Sequence, residues 1–278
     1  MKLLLYGNCQ AEAVAKALQF SNPDHQIDYA GSSNRVARFD PKRSQRLMTE
    51  CDHLVAQPIM NPENPDSTEQ MRERFGDRVS FMPYIFVDGL FSLVQSGNTT
   101  KYLTGIIGEK YILRELETYK AAEVVERFQQ GEIDFEHKTR FAQNLVEMRR
   151  REAHCSYKVA NKIADTALER PLFISHNHPR PELINHLARQ IASRLSLKFT
   201  PVTREEPLKL AAITLPNAQR VISPYTTRDL DASFAYDLHW LTEGLKMIRQ
   251  ILDARQEKGF GGRLKDILAL GGSARPGH

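Results

Sequence analysis

The sequence predicts an α/β protein built on a parallel sheet with helices on both faces. Short apolar segments alternate with helix-forming segments over the first 82 residues, which is typical of that class. A polar turn carrying a cysteine follows the first of these segments. Residues 101–168 contain almost no strand pattern, so we expect a mostly helical insertion at about 92–168, inside a domain spanning 1–200.

The first strand, turn and helix carry the strongest candidate for chemistry. The apolar run Leu3–Tyr6 precedes Gly7-Asn8-Cys9-Gln10, and residues 11–18 are helix formers. A helix N-terminus favours a thiolate, and Gly7 permits a sharp turn, so Cys9 is placed to attack an acyl group. The alternative is a small buried cysteine. Asn8 and Gln10 favour the functional interpretation, because buried amides require hydrogen-bond partners.

The next elements complete the predicted sheet. Strands are expected at 26–30, 53–58 and 79–82, and helices at 41–50 and 68–75, with Ser67 and Gln70 forming a capping box. Ligands of such sheets bind at the carboxyl ends of the strands. We therefore expect three segments to meet at one edge: Gly7–Gln10, Gln57 and Tyr84–Asp88.

The insertion is predicted to contain a helix at 119–129 stopped by Gly131, followed by one long helix or two over 135–167. The charged run 147–152 is typical of a solvated helix face from which one arginine serves a ligand.

A second strand, polar turn and helix follow at residues 171–195. The turn contains His176-Asn177-His178-Pro179. Imidazole titrates near neutrality, so His178 is a candidate general base toward Cys9. The two histidines also suggest a metal site, but no third ligand follows at a suitable spacing, and we expect no metal. The alternative is that both histidines cap the helix or bond to backbone.

Two further polar residues are candidates at this edge. Asp88 would orient the histidine or bind substrate, or it would simply form a turn before Gly89. Gln57 would donate its amide to an oxyanion, or bond to loop carbonyls.

The C-terminal part is expected to pack on the core as an extension over 201–258, before a loose glycine-rich tail at 259–278. Residues 223–231 are predicted as a loop and 236–256 as a long helix. That helix carries a heptad-like apolar seam, at Leu238, Leu241, Leu245, Ile248 and Leu252. The seam would pack on the protein's own body or, alternatively, on a second copy in a homodimer.

Composition excludes several classes of protein. The chain has 278 residues, 41% hydrophobic and 26% charged, with a net charge of +4, which does not indicate nucleic-acid binding but is compatible with a phosphate-bearing ligand. Three cysteines without regular spacing indicate a reducing cytoplasm rather than a disulfide framework. No stretch is long and apolar enough to span a membrane, and no glycine-rich nucleotide loop is present.

Several motifs together resemble one family. They are Gly7-Asn8-Cys9-Gln10, Gln57, the segment Pro83–Phe91, Arg151-Glu152 and Asn177-His178-Pro179. Over residues 1–195 this set resembles the WcbI-type polysaccharide biosynthesis family. The resemblance implies binding of coenzyme A or acetyl-CoA as co-substrate and acetylation of a sugar hydroxyl in capsular polysaccharide assembly.

The layout also resembles SGNH/GDSL hydrolases at a distance, and with them a three-layer SGNH- or flavodoxin-like fold. Cys9 stands at the position of their serine, and His178-Pro179 at the position of their histidine and proline. Their pattern has an aspartate three residues before the histidine, where this sequence has Ser175. A Cys–His dyad depends less on a third member.

Three functions follow from these expectations. The first is a CoA-dependent acetyltransferase, with Cys9 and His178 catalytic, the Gly7–Gln10 turn, Gln57, Asp88, His176 and Asn177 around the oxyanion or substrate, and Arg35 and Arg151 on the phosphates of CoA. The second is an esterase or deacetylase with a cysteine nucleophile. The third is a non-catalytic CoA- or sugar-binding protein, in which Cys9 only packs.

Overall fold

The computed structural model describes residues 1–32, 40–96, 101–202, 220–235 and 238–257. Strands and helices alternate through the first 81 residues, as the sequence predicts. The elements of this first part are β1 Lys2–Gly7, α1 Cys9–Ser21, β2 Gln26–Gly31, α2 Pro41–Glu50, β3 His53–Ala56, α3 Thr68–Phe75 and β4 Val79–Phe81.

The central sheet is parallel, with strand order β2-β1-β3-β4. Side chains alternate across β1: Leu3 and Leu5 pack with α1 on one face, while Leu4 and Tyr6 pack with α2 and α3 on the other. Both faces are therefore covered by helices. The predicted α/β fold class, with a three-layer parallel-sheet domain, is confirmed.

The chain after β4 builds a second apolar core. Its strands form an antiparallel sheet of order β6-β5-β9, whose outer strands come from distant parts of the chain. The elements after β4 are β5 Leu93–Gln95, β6 Ile106–Ile107, α4 Glu109–Glu115, α5 Ala121–Gln130, α6 His137–Glu152, α7 Ala160–Thr166, β7 Phe173–Ser175, β8 His178–Pro179, α8 Pro181–Arg194, β9 Arg220–Val221, α9 Pro224–Leu230 and α10 Trp240–Glu257.

The predicted strand near residue 173 exists but has a different partner from the other strands. β7 pairs with β8 as a short antiparallel hairpin. Helix α8 then packs on α1 and buries the apolar row Leu183, Leu187 and Ile191. The hairpin thus carries His176 and His178 to the start of α1, where Cys9 lies.

The C-terminal part differs from the sequence prediction at one element. The sequence predicts a loop at residues 223–231, but the structure has helix α9 there. The Ser223 side chain accepts the Thr226 N–H and the Thr226 side chain accepts the Ser223 N–H, which forms a capping box at the start of the helix. In α10, Ile248 is fully buried, and Leu241, Leu245 and Leu252 pack against the second core. The seam of that helix therefore packs on the protein's own body, while Leu238, before the helix, is 88% exposed.

The division into a 1–200 domain and a 201–258 extension stays a prediction, and the predicted tail at 259–278 lies outside the described residues. The two predicted parts share a sheet, because β5 of the first part pairs with β9 of the second. Among the described helices, none is both long and apolar enough to cross a membrane.

Candidate active site

Cys9 and His178 meet at the carboxyl edge of the central sheet. Cys9 is the first residue of α1, directly after Asn8, whose side chain accepts a hydrogen bond from the Gln10 N–H and caps the helix. His178 begins β8. The Cys9 Sγ lies 3.8 Å from the His178 Nε2. The two side chains predicted to be catalytic are therefore brought together.

Ser175 completes the arrangement on the other side of the imidazole. Its Oγ lies 2.6 Å from the His178 Nδ1, and it donates to the Asn177 Oδ1 at 3.4 Å. With its proton directed to Asn177, Ser175 accepts the Nδ1–H of His178. That tautomer leaves the Nε2 lone pair facing Cys9, as a general base requires.

The Cys9–His178 pair is buried enough to disfavour charge. Burial raises the pKa of the Cys9 thiol, although the Cys9 backbone N–H opposes this, and burial lowers the pKa of His178. The resting pair is therefore a thiol beside a neutral imidazole.

Gln10 joins three segments at the site. Its side-chain oxygen accepts from the Ile85 N–H at 2.9 Å and from the Gln57 amide at 3.3 Å. Its amide donates to the carbonyl oxygens of Ile85 and Asn177, each at 2.7 Å. All the hydrogen-bonding capacity of this 1% exposed side chain is used. Gln10 therefore positions the segments around the site, and its predicted contact with a substrate stays a prediction.

Gln57 supports the turn, and its predicted role on an oxyanion stays a prediction. Its oxygen accepts the Asn8 N–H at 2.8 Å, and its amide is directed to Gln10. Gly7 makes this possible, because a Cβ there would lie 2.4 Å from the Gln57 Oε1. The sequence predicts that Gly7 serves the turn through backbone angles that other residues avoid. In the structure Gly7 does not have a positive φ angle. A glycine is required there because Gln57 approaches so closely.

Two donors are left for an oxyanion beside Cys9. In the described part of the chain, no hydrogen bond to another residue takes the Cys9 N–H, which is the first N–H of α1. The Asn8 side-chain amide is likewise without an acceptor there, since the cap uses only its oxygen. A role for these two groups on an oxyanion stays a prediction.

Asp88 does not contact His178; Ser175 holds the Nδ1 side of that ring. The Asp88 carboxylate instead accepts from the Asn144 amide at 3.0 Å and lies 3.7 Å from the Arg140 guanidinium. These two contacts connect the loop that contains Asp88 to α6. A role for Asp88 in substrate binding stays a prediction.

His176 and Arg151 also lie around the pair. His176 is 5% exposed and packs edge-on against Phe86, with ring centroids 5.2 Å apart. Burial lowers its pKa to about 4. The Arg151 guanidinium lies 5.4 Å from the centre of the Tyr84 ring and donates to Glu147. Arg35, the other predicted cofactor residue, lies outside the described residues.

Glu152, within the Arg151-Glu152 motif, has a structural role. Its carboxylate accepts the backbone N–H groups of Val159 and Ala160 and so caps α7. In the described part of the chain, no cluster of three or more His, Cys, Asp or Glu side chains is arranged to hold a metal ion.

The fold and the site define an α/β protein with a cysteine–histidine pair at the carboxyl edge of a parallel sheet. The family described as "Polysaccharide biosynthesis enzyme WcbI" matches residues 2–200. The chain belongs to this family, and the resemblance seen in its motifs is confirmed. Members carry the name of an enzyme of polysaccharide biosynthesis.

A solved structure has the same overall fold. It is described as WcbI, a novel polysaccharide biosynthesis enzyme, in its native form without the disulfide bond between CoA and one of its cysteines. The two chains are 16% identical, superpose with a TM-score of 0.57, and cover 96% of this chain and 98% of that one. No curated protein matches the sequence.

Proposed function

We propose that this protein transfers an acetyl group from acetyl-CoA to a sugar hydroxyl during polysaccharide biosynthesis, using Cys9 as nucleophile and His178 as base. The observation that carries the proposal is the Cys9–His178–Ser175 arrangement, with Sγ 3.8 Å from Nε2 and Oγ 2.6 Å from Nδ1. Family membership supplies the process, and the solved relative, whose description mentions CoA, supports the co-substrate.

The first half of the reaction would form an acetyl-cysteine. The Cys9 thiol gives its proton to the His178 Nε2 while sulfur attacks the thioester carbonyl. The Cys9 N–H and the Asn8 amide hold the oxyanion. When the carbon–sulfur bond to CoA breaks, the CoA thiolate accepts the proton that the His178 Nε2 took from Cys9, and free CoA leaves.

The second half would return the enzyme to its resting state. The acceptor hydroxyl gives its proton to the His178 Nε2 and attacks the acetyl carbonyl held on Cys9. The carbon–sulfur bond to Cys9 breaks, the sugar ester leaves, and the sulfur recovers its proton. A direct transfer, with His178 acting on the sugar hydroxyl and no acetyl-enzyme, is the alternative use of the same base.

The test is isothermal titration of the protein with CoA and acetyl-CoA, alongside the Cys9→Ala variant. We expect saturable binding of both ligands by the wild-type protein and by the variant, because removing the thiol leaves the rest of the site intact. Absence of binding by the wild-type protein would overturn the proposal. Hydrolysis of small acetyl esters without CoA would then identify an esterase.

A further inference from the structure

The segment Tyr84–Asp88 forms one wall of the site. Ile85 and Val87 are fully buried, whereas Tyr84, Phe86 and Asp88 are partly exposed, so alternate side chains face outward. The backbone of this segment is held firmly: Gln10 bonds both the N–H and the carbonyl of Ile85, and the Val87 N–H donates to the His176 carbonyl at 2.7 Å. The wall is therefore a fixed surface beside Cys9.

Aromatic rings run along this wall, with a cationic group at one end and an imidazole at the other. Arg151 lies 5.4 Å from the Tyr84 ring centre, Tyr84 and Phe86 have centroids 6.4 Å apart, and Phe86 lies 5.2 Å from His176. Aromatic faces suit the C–H surfaces of a sugar ring, while the polar ends suit its hydroxyl and charged substituents.

Both ends of the row carry an unsatisfied polar atom. Across the described residues, two buried side-chain nitrogen or oxygen atoms lack a hydrogen-bond partner, and they are the Arg151 Nη1 and the His176 Nδ1. Buried donors and acceptors are almost always paired, so two exceptions flanking one surface indicate groups that a ligand completes. The Arg151 Nε bond to Glu147, 2.8 Å long, keeps the guanidinium in place.

We propose that this wall is the acceptor subsite and that it takes a sugar bearing an oxyanion, either a carboxylate or a phosphate. The oxyanion pairs with Arg151, the ring lies on Tyr84 and Phe86, and His176 and Asp88 bond to hydroxyl groups. This inference rests on the proposed function in assigning the second substrate to a sugar. A guanidinium pairs with either oxyanion through charge-assisted hydrogen bonds.

The position of Arg151 argues against a role on the phosphates of CoA. CoA carries its thiol at one end and its phosphates at the other, separated by the pantetheine arm. Under the proposed function the thiol end meets Cys9. Arg151 lies against Tyr84, the residue before Ile85, and the Ile85 N–H donates to Gln10, the residue after Cys9. Arg151 therefore lies near the thiol end of CoA. The sequence predicts that Arg151 binds the phosphates of CoA, and we assign it to the acceptor sugar instead.

Three probes test the subsite without CoA: methyl glucoside, the corresponding methyl glucuronide, and glucose 6-phosphate. Saturation-transfer NMR titrations give the affinity of each probe. We expect both charged probes to bind about tenfold more tightly than methyl glucoside, and Arg151→Gln to remove that preference. Comparing glucuronide with the phosphate shows which oxyanion is preferred. Phe86→Ala should weaken all three probes alike.

Arg150→Gln is the matched control. Arg150 shares Glu147 with Arg151 but is 57% exposed, so its loss should preserve the preference. Equal binding of all three probes, failure of both charged probes to bind saturably, or a preference that persists in R151Q would overturn the proposal. So would an R151Q variant that loses CoA affinity and keeps the sugars. Because CoA is absent from the NMR titration, failure of CoA binding is a separate result.

Discussion

Replacing Ser175 by alanine should disable the base without disturbing ligand binding. The substitution removes the 2.6 Å contact between Oγ and the His178 Nδ1, in a position where Ser175 is 1% exposed and His178 is 6% exposed. A buried nitrogen left unpaired costs about 1–3 kcal/mol. At 1.36 kcal/mol per factor of ten, proton transfer from Cys9 should slow by ~10- to 100-fold.

The assay is the rate of Cys9 alkylation by iodoacetamide across pH, read by peptide mass spectrometry so that Cys51 and Cys155 are followed separately. In the wild-type protein, burial raises the pKa of Cys9, so the rate should climb at higher pH than for an exposed cysteine. Ser175→Ala should lower the rate further at neutral pH while CoA affinity stays unchanged.

Two variants at the same position control for packing. Ser175→Thr keeps the hydroxyl and should retain most of the rate. Ser175→Asp supplies a carboxylate to the Nδ1–H, which favours an imidazolium, so alkylation of Cys9 should begin at lower pH. An S175A protein whose alkylation profile matches the wild type would show that Ser175 does not assist His178.

Three other predictions follow from single contacts. Asn8→Asp keeps the cap on α1 but loses the amide donor, so acetyl transfer should fall by ~100- to 1,000-fold, with urea stability little changed; equal turnover of N8D and wild type would remove Asn8 from the oxyanion site. Gly7→Ala places a Cβ 2.4 Å from the Gln57 Oε1 and should cost about 1–3 kcal/mol in the free energy of unfolding; a neutral effect would show that Gln57 moves freely. Burial lowers the pKa of His137 from 6.5 to about 4. The unfolded chain then binds this proton at higher pH, so stability is full above about 6.5 and falls as pH drops toward 4, by on the order of 3 kcal/mol; urea unfolding of His137→Gln should show a shallower dependence over that window, and an unchanged slope would contradict the assignment.

The central sheet could be predicted because its signals are local. Apolar runs of strand length, the Ser67 N-cap and the Pro41 helix start all lie within a few residues of the element they specify. Of the predicted capping box only the Ser67 half forms, because the Ser67 N–H donates to the Asn64 carbonyl instead of to Gln70. The strands β5, β6 and β9 could not be predicted from such signals. They are short, and β5 pairs with β9 from more than 120 residues away, so their formation depends on tertiary contacts.

The proximity of Cys9 and His178 could be predicted because each residue occupies a recognisable turn before a helix. The roles of the supporting residues could not. The sequence makes Gln10 and Gln57 candidates for ligand contact, but their hydrogen bonds join four separate segments, which no local pattern predicts. In the sequence, Ser175 stands out only because it occupies the position of the hydrolase aspartate. Its spacing, three residues before His178, was the available signal for its contact with Nδ1.

The most direct test of Cys9 as the nucleophile is peptide mapping of the protein after incubation with acetyl-CoA and an acid quench. We predict an acetyl group on Cys9 in the wild-type protein and none on Cys51 or Cys155. In the His178→Ala variant we predict no acetyl group on Cys9, with CoA affinity retained. An unmodified Cys9 in a wild-type protein that binds acetyl-CoA and acetylates a sugar would contradict the role of Cys9 as the nucleophile.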